Sequence, residues 1–166
     1  MILKRIISIL FFLVLSVNSY KLQAIENKIL FKIDDELITS VDIYNQTKYL
    51  KSLNQDIQNL SEQNIFEISK KIIIKEKIKK IELLNKKIKL NIDDKILNAY
   101  IKSVFRTTQI NDLNEYKNFV NLLDLNFEAM KEKLIIEILW NNLIFKKFSS
   151  KIKINKEDLK KEIMTS

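Results

Sequence analysis

"KIDDELITSVDI", Lys32 to Ile43, is the stretch whose reading decides the fold, because it breaks the helical patterning that fills the rest of the chain. Ile29 to Ile33 alternates apolar and polar residues with period 2, and Leu37-Ile38-Thr39 is again strand-like. The "DDE" between them predicts a turn built without Gly, since Asp tolerates left-handed backbone and its carboxylate can bond nearby amides. Thr39 lies three residues before Asp42, the spacing of a capping box, and predicts a helix running to about Asn54. The acids of this stretch therefore read as turn and cap. A catalytic carboxylate pair needs groups held in a pocket with separated pKa values, and nothing in the pattern requires one.

The composition narrows the chemistry. The chain has 166 residues, one ordinary domain's worth, and at 46% hydrophobic it can bury a core. It contains no Gly, Pro, Cys or His. Without Cys and His the common zinc, haem and iron–sulfur sites have no ligands, and no Ser-His or Cys-His nucleophile pair can form. Without Gly there is neither a P-loop nor a dinucleotide-binding fingerprint. Carboxylates, Lys and Tyr remain as reactive groups, and they are not clustered. No catalytic, cofactor-binding or metal-binding residue is expected, and no cofactor.

Residues 1–24, "MILKRIISILFFLVLSVNSYKLQA", join Lys4 and Arg5 to an apolar run from Ile6 to Val17 and then to small and polar residues. The run is shorter than the roughly 20 residues that span a bilayer core and matches a secretory signal peptide. Cleavage after Ala24 is preferred, with Ser19 as the alternative, and an uncleaved N-terminal anchor in the inner membrane is the other reading. Either way residues 25–166 form the working domain on the far side of a membrane. Removing Lys4, Arg5 and Lys21 with no acid lowers the formal charge from +8 to +5. The basic run "KKIIIKEKIKKIELLNKKIK" interleaves Glu76 and Glu82 and places Ile at helical spacing, so it reads as a solvated helix face rather than a nucleic-acid site. No nucleic-acid partner is expected.

Further helices follow from apolar periodicity and start signals. A polar linker, Gln55 to Gln63, leads to a helix over about Asn64 to Lys86. Asn91-x-x-Asp94 opens a helix bearing Ile96, Leu97, Tyr100, Ile101, Val104 and Phe105. Asp112-x-x-Glu115 caps a short one with Leu113, Tyr116, Phe119, Val120 and Leu123. Asn126 opens the longest, to about Phe148, in which Glu137 is the only charge from Leu134 to Phe145. A helix apolar nearly all round is buried on several sides or meets a partner. Lys151 to Ile154, "KIKI", alternates like a strand, and Asn155-x-x-Asp158 caps a last short helix.

The order of these pieces is recognisable. A leader, a hairpin ending in "LIT" and an acid-capped helix precede "ISKKIIIKEKIKKIELLNKKIKLNIDDKILNAYI", "LNEYKNFVNLLDLNFEAMKEKLIIEILWNNLI" and "KIKINKEDLKKEI". Over about Ile29 to Ile163 the chain resembles the N-terminal helical domain of the SurA family of periplasmic chaperones. It departs from that pattern where the family commonly has Gly, after the second helix and at Asp124, and in ending before any parvulin-type prolyl isomerase domain. The resemblance implies a mainly α, multi-helix domain whose N-terminal β-hairpin pairs with the short strand Lys151–Ile154. It implies an ATP-independent periplasmic holdase for unfolded outer-membrane β-barrel proteins, with isomerase activity, if any, in a separate partner. Tyr100, Phe105, Tyr116, Phe119, Trp140 and Phe145 are the candidate client contacts, although aromatics at helical spacing are more often core. The competing reading is an exported scaffold, anchored or homodimeric, whose apolar helix around Trp140 meets one fixed partner.

Overall fold

The computed structural model describes residues 27–151. The leader and the "KIKI" segment after Lys151 lie outside the described residues, and so does the pairing of hairpin with C-terminal strand. Two strands, β1 (Ile29–Ile33) and β2 (Glu36–Thr39), are followed by helices α1 (Ser40–Leu53), α2 (Gln55–Gln58), α3 (Glu62–Asn85), α4 (Asp94–Val104), α5 (Leu113–Leu122) and α6 (Phe127–Phe148).

The hairpin is antiparallel and closed by the two-residue turn Asp34-Asp35, with Ile33 opposite Glu36. Asp34 takes the left-handed backbone (φ 48°) that a turn this tight demands. A bulge between Ile29 and Phe31 interrupts strict alternation, so Leu30 and Phe31 are both half-buried. At the far end β2 runs directly into α1. The Thr39 amide donates to Asp42 Oδ2 (2.8 Å) and the Asp42 amide donates to Thr39 Oγ1 (3.2 Å), a reciprocal capping box that fixes the strand-to-helix corner.

α1 and α3 form an antiparallel pair, stepped by Thr47–Ser69 (2.8 Å) and Lys51–Glu62 (2.7 Å). Between them the linker holds a single helical turn, α2, capped by Asn54. The start of α3 lies at Ser61, whose Oγ accepts the Asn64 amide, rather than at Asn64 itself. Similarly Asp93, not Asn91, caps α4. Asp112 and Asn126 cap α5 and α6 through their side-chain oxygens.

Two turns carry residues in the left-handed region where glycine is favoured: Lys87 (φ 56°) after α3 and Asp124 (φ 45°) after α5. Both are Schellman closures. The Ile88 amide donates to the Leu83 carbonyl and Lys87 to Leu84, while Leu125 donates to Val120 and Asp124 to Asn121. Fully buried Leu83 and Val120 anchor the two motifs.

The interior is divided. A larger cluster joins Leu97, Ile101, Phe105, Ile110, Tyr116, Val120, Leu125, Met130, Leu134 and Ile138, drawing α4, α5 and α6 together with Tyr49 and Leu53 of α1 against it. A smaller cluster of Ile38, Ile43 and Ile73 seats the hairpin on α3, with Leu30, Phe31, Ile33, Phe66 and Ile74 around it.

Candidate polypeptide-binding surface

The side chains of α6 change character along its length. Its first half enters the core: Met130, Leu134, Ile135, Ile136 and Ile138 are buried. Charges at the edge of this half lock it to α3 and α1. Lys133 bonds Glu76 (2.9 Å) and Gln46 Oε1 (2.8 Å), Lys80 bonds Glu132 (2.8 Å), and Lys79 bonds Glu137. Lys80 also reaches Glu36 in β2 (3.2 Å), which receives Lys77 as well (2.6 Å). Hydrogen bonding from Lys77 holds the Glu36 carboxyl below the usual carboxylate range, Lys80 adds to this, and partial burial only partly opposes it.

Gln46, Glu76, Lys77, Lys80, Glu132 and Lys133 line a cleft of about 140 Å³ between α1, α3 and the start of α6, with Asp42, Asn45, Ile73 and Met130 also in its wall. Its chemistry is spent on itself. Glu76, Glu132, Lys80 and Lys133 hold one another, and Asp42 is committed to the Thr39 cap. Among the described residues no buried side-chain nitrogen or oxygen lacks a hydrogen-bond partner, and no three carboxylates converge as a metal site would require.

The aromatic residues singled out in the sequence separate into three groups. Phe105 (3% exposed) and Tyr116 (0%) are core, their ring centroids 5.3 Å apart and their planes tilted by 46°. The cause is mutual cover: α4 and α5 turn their apolar faces toward each other, and the Leu113 amide donates to Asn98 Oδ1 to hold the corner. Tyr116 Oη meets Tyr49 Oη at 3.2 Å, and Tyr49 and Phe127 complete the aromatic shell. Burial pushes the Tyr49 hydroxyl up to about 12 and raises that of Tyr116 further. Tyr100 and Phe119 are half-buried at the margin of the same cluster. As the structure stands, Phe105 and Tyr116 present no surface to a client.

The second half of α6 differs. Leu139, Trp140, Leu143 and Ile144 are half-buried, Phe145 is 71% exposed and Phe148 38%. These residues spread around much of the second half of the helix, and its end carries the exposed ones, Phe145 and Phe148. Trp140 and Phe145 are the two sequence candidates that the fold leaves on this half. A second apolar concavity, of about 350 Å³, lies between α1 and α3 with Ile43, Tyr44 and Phe66 in its wall. Sequence reasoning missed Tyr44 and Phe66 because the only signal, an isolated aromatic among the apolar positions of each helix, is indistinguishable from core periodicity. Among the described residues no helix is long and apolar enough to cross a membrane.

Comparison with protein-family models, with curated proteins and with solved structures returns no match for this chain, so what it does has to be argued from this surface.

Proposed function

We propose that the chain is an exported, ATP-independent holdase that shields unfolded polypeptide segments, those of outer-membrane β-barrel proteins foremost, in the periplasm. One observation carries the reading: the second half of α6 keeps apolar side chains from Leu139 to Phe148 only partly covered beside a salt-bridged first half, with Phe145 71% exposed. Accessible apolar surface beside a charged body is what capture of unfolded chain demands, because clients bind by apolar burial while charge keeps the complex soluble. The order of hairpin and helices, similar to that of the SurA-type chaperone domain, supports the same reading, as does the leader-like N-terminus.

The test is suppression of aggregation. A denatured β-barrel protein diluted into buffer should stay soluble when the exported chain is present in modest excess, with no nucleotide added. No suppression, together with a stable monodisperse dimer, would instead assign the α6 flank to self-association. Turnover of a prolyl peptide in an isomerisation assay would overturn the non-enzymatic reading.

A further inference from the structure

We propose that the end of α6 and the turn after it, Phe145 to Lys151, dock the protein peripherally on a lipid bilayer rich in acidic headgroups. Phe145 and Phe148 would enter the headgroup boundary while Lys146, Lys147 and Lys151 meet the anionic headgroups. This goes beyond client capture, with which it shares Phe145 and Phe148; Lys146, Lys147 and Lys151 belong to the bilayer contact alone.

Charge is the first argument. From Asn141 to Lys151 the chain carries three Lys and no acid. Several lysines of the bundle are neutralised locally, Lys51 by Glu62, Lys77 and Lys80 by Glu36, Lys79 by Glu137 and Lys133 by Glu76, while Lys71, Lys75 and Lys102 have no ion pair among the described residues. What sets the end of α6 apart is three lysines grouped with two exposed Phe. Among the described residues no carboxylate pairs with Lys146, Lys147 or Lys151. Two of them gather instead at an aromatic ring, with Lys147 Nζ 5.6 Å and Lys151 Nζ 5.7 Å from the centroid of Phe148. Cations near a helix C-terminus suit the macrodipole. That accounts for the lysines but not for two exposed Phe placed among them.

Shape is the second argument. Phe145 and Phe148, three residues apart, share one side of the helix, and Phe145 projects into solvent rather than lining a groove. A bilayer interface accepts protruding aromatics to a depth of about 5–10 Å, and lysines lie along its surface with their ammonium groups in the headgroup layer. Protruding Phe, flanking Lys and no acid fit that geometry.

The experiment is co-sedimentation of the exported chain with vesicles, read together with tryptophan emission, which comes from Trp140 alone. Phosphatidylglycerol-containing vesicles should pellet the protein and blue-shift its emission. Phosphatidylcholine vesicles should bind on the order of 100-fold more weakly, and high salt should abolish the difference. The triple reversal Lys146→Glu, Lys147→Glu, Lys151→Glu should lose at least about tenfold in vesicle affinity, as should Phe145→Ser with Phe148→Ser. The triple variant should still suppress client aggregation, so loss of vesicle binding and loss of holdase action are separable. Equal binding to neutral vesicles, or unchanged binding by the triple variant, would overturn the proposal. So would tight binding of a soluble acidic polypeptide that anionic vesicles fail to displace, which would assign this end to a protein partner. An uncleaved leader would carry all variants to the pellet, and the Trp140 shift then decides between these outcomes.

Discussion

At the scale of single residues, three non-glycine positions among the described residues sit in left-handed backbone, and each closes a turn: Asp34, Lys87 and Asp124. A side chain in that region costs about 1–2 kcal/mol relative to right-handed backbone, which a chain without Gly must absorb. Lys87→Gly should therefore raise stability by roughly 0.5–1 kcal/mol after the extra flexibility of the unfolded chain is counted. Chemical denaturation should show a higher midpoint at unchanged slope. A lower midpoint would mean that the Lys87 stem packs against something the turn needs. The aromatic residues give a second test at this scale. Tyr116→Ala should cost about 3–5 kcal/mol, the range for large-to-small core changes, whereas Phe145→Ser should fall within about 0.5 kcal/mol of the parent, as surface changes usually do. Thermal unfolding of the two variants measures the contrast.

At the scale of elements, the hairpin is a latch on α3, and Glu36 is its catch. The carboxylate sits between Lys77 and Lys80, and Lys80 in turn holds Glu132 of α6, so one lysine ties β2 to two helices. A carboxylate held below its ordinary value contributes stability that is fully present above the free-residue value of 4.5 and is lost as pH falls through its lowered folded value. Stability should accordingly decline from about pH 4.5 downward. Glu36→Gln should be less stable at neutral pH and show a flatter decline through that acid window; parallel profiles for the two proteins would contradict the latch. The elements differ in how far they could be read from sequence. Thr39, Asp112 and Asn126 announced their helices because capping is a local event, decided within four residues. Asn64 and Asn91 misled by two or three residues, since Ser61 and Asp93 are competing caps of equal chemistry. The single turn α2 was hidden in a polar linker with no apolar face to give it a period. The ion pairs of α3 with α6 join residues more than fifty positions apart, and in a Lys-rich chain nothing marks which lysine meets which acid.

At the scale of the whole molecule, periodicity names the apolar face of each helix but not the neighbour that covers it. Phe105 and Tyr116 look the same in sequence as Trp140 and Phe145, yet the first pair closes the core between α4 and α5 while the second stays on the flank of α6. The polar layer of Gln46, Glu76, Lys80, Glu132 and Lys133 stands where α1, α3 and α6 meet, and it fixes α6 by its first half. On the proposed function, the half-covered second half of α6 is the part that meets an unfolded chain. The most direct measurement of that claim is a titration of the protein with a tryptophan-free unfolded β-barrel protein, followed through Trp140, the single tryptophan. Saturable binding with a blue-shifted emission, weakened at least about tenfold by Phe145→Ser in a variant that unfolds like the parent, is the predicted result; the loss corresponds to about 1.4 kcal/mol. Binding with no change at Trp140, or undiminished by Phe145→Ser, would contradict it.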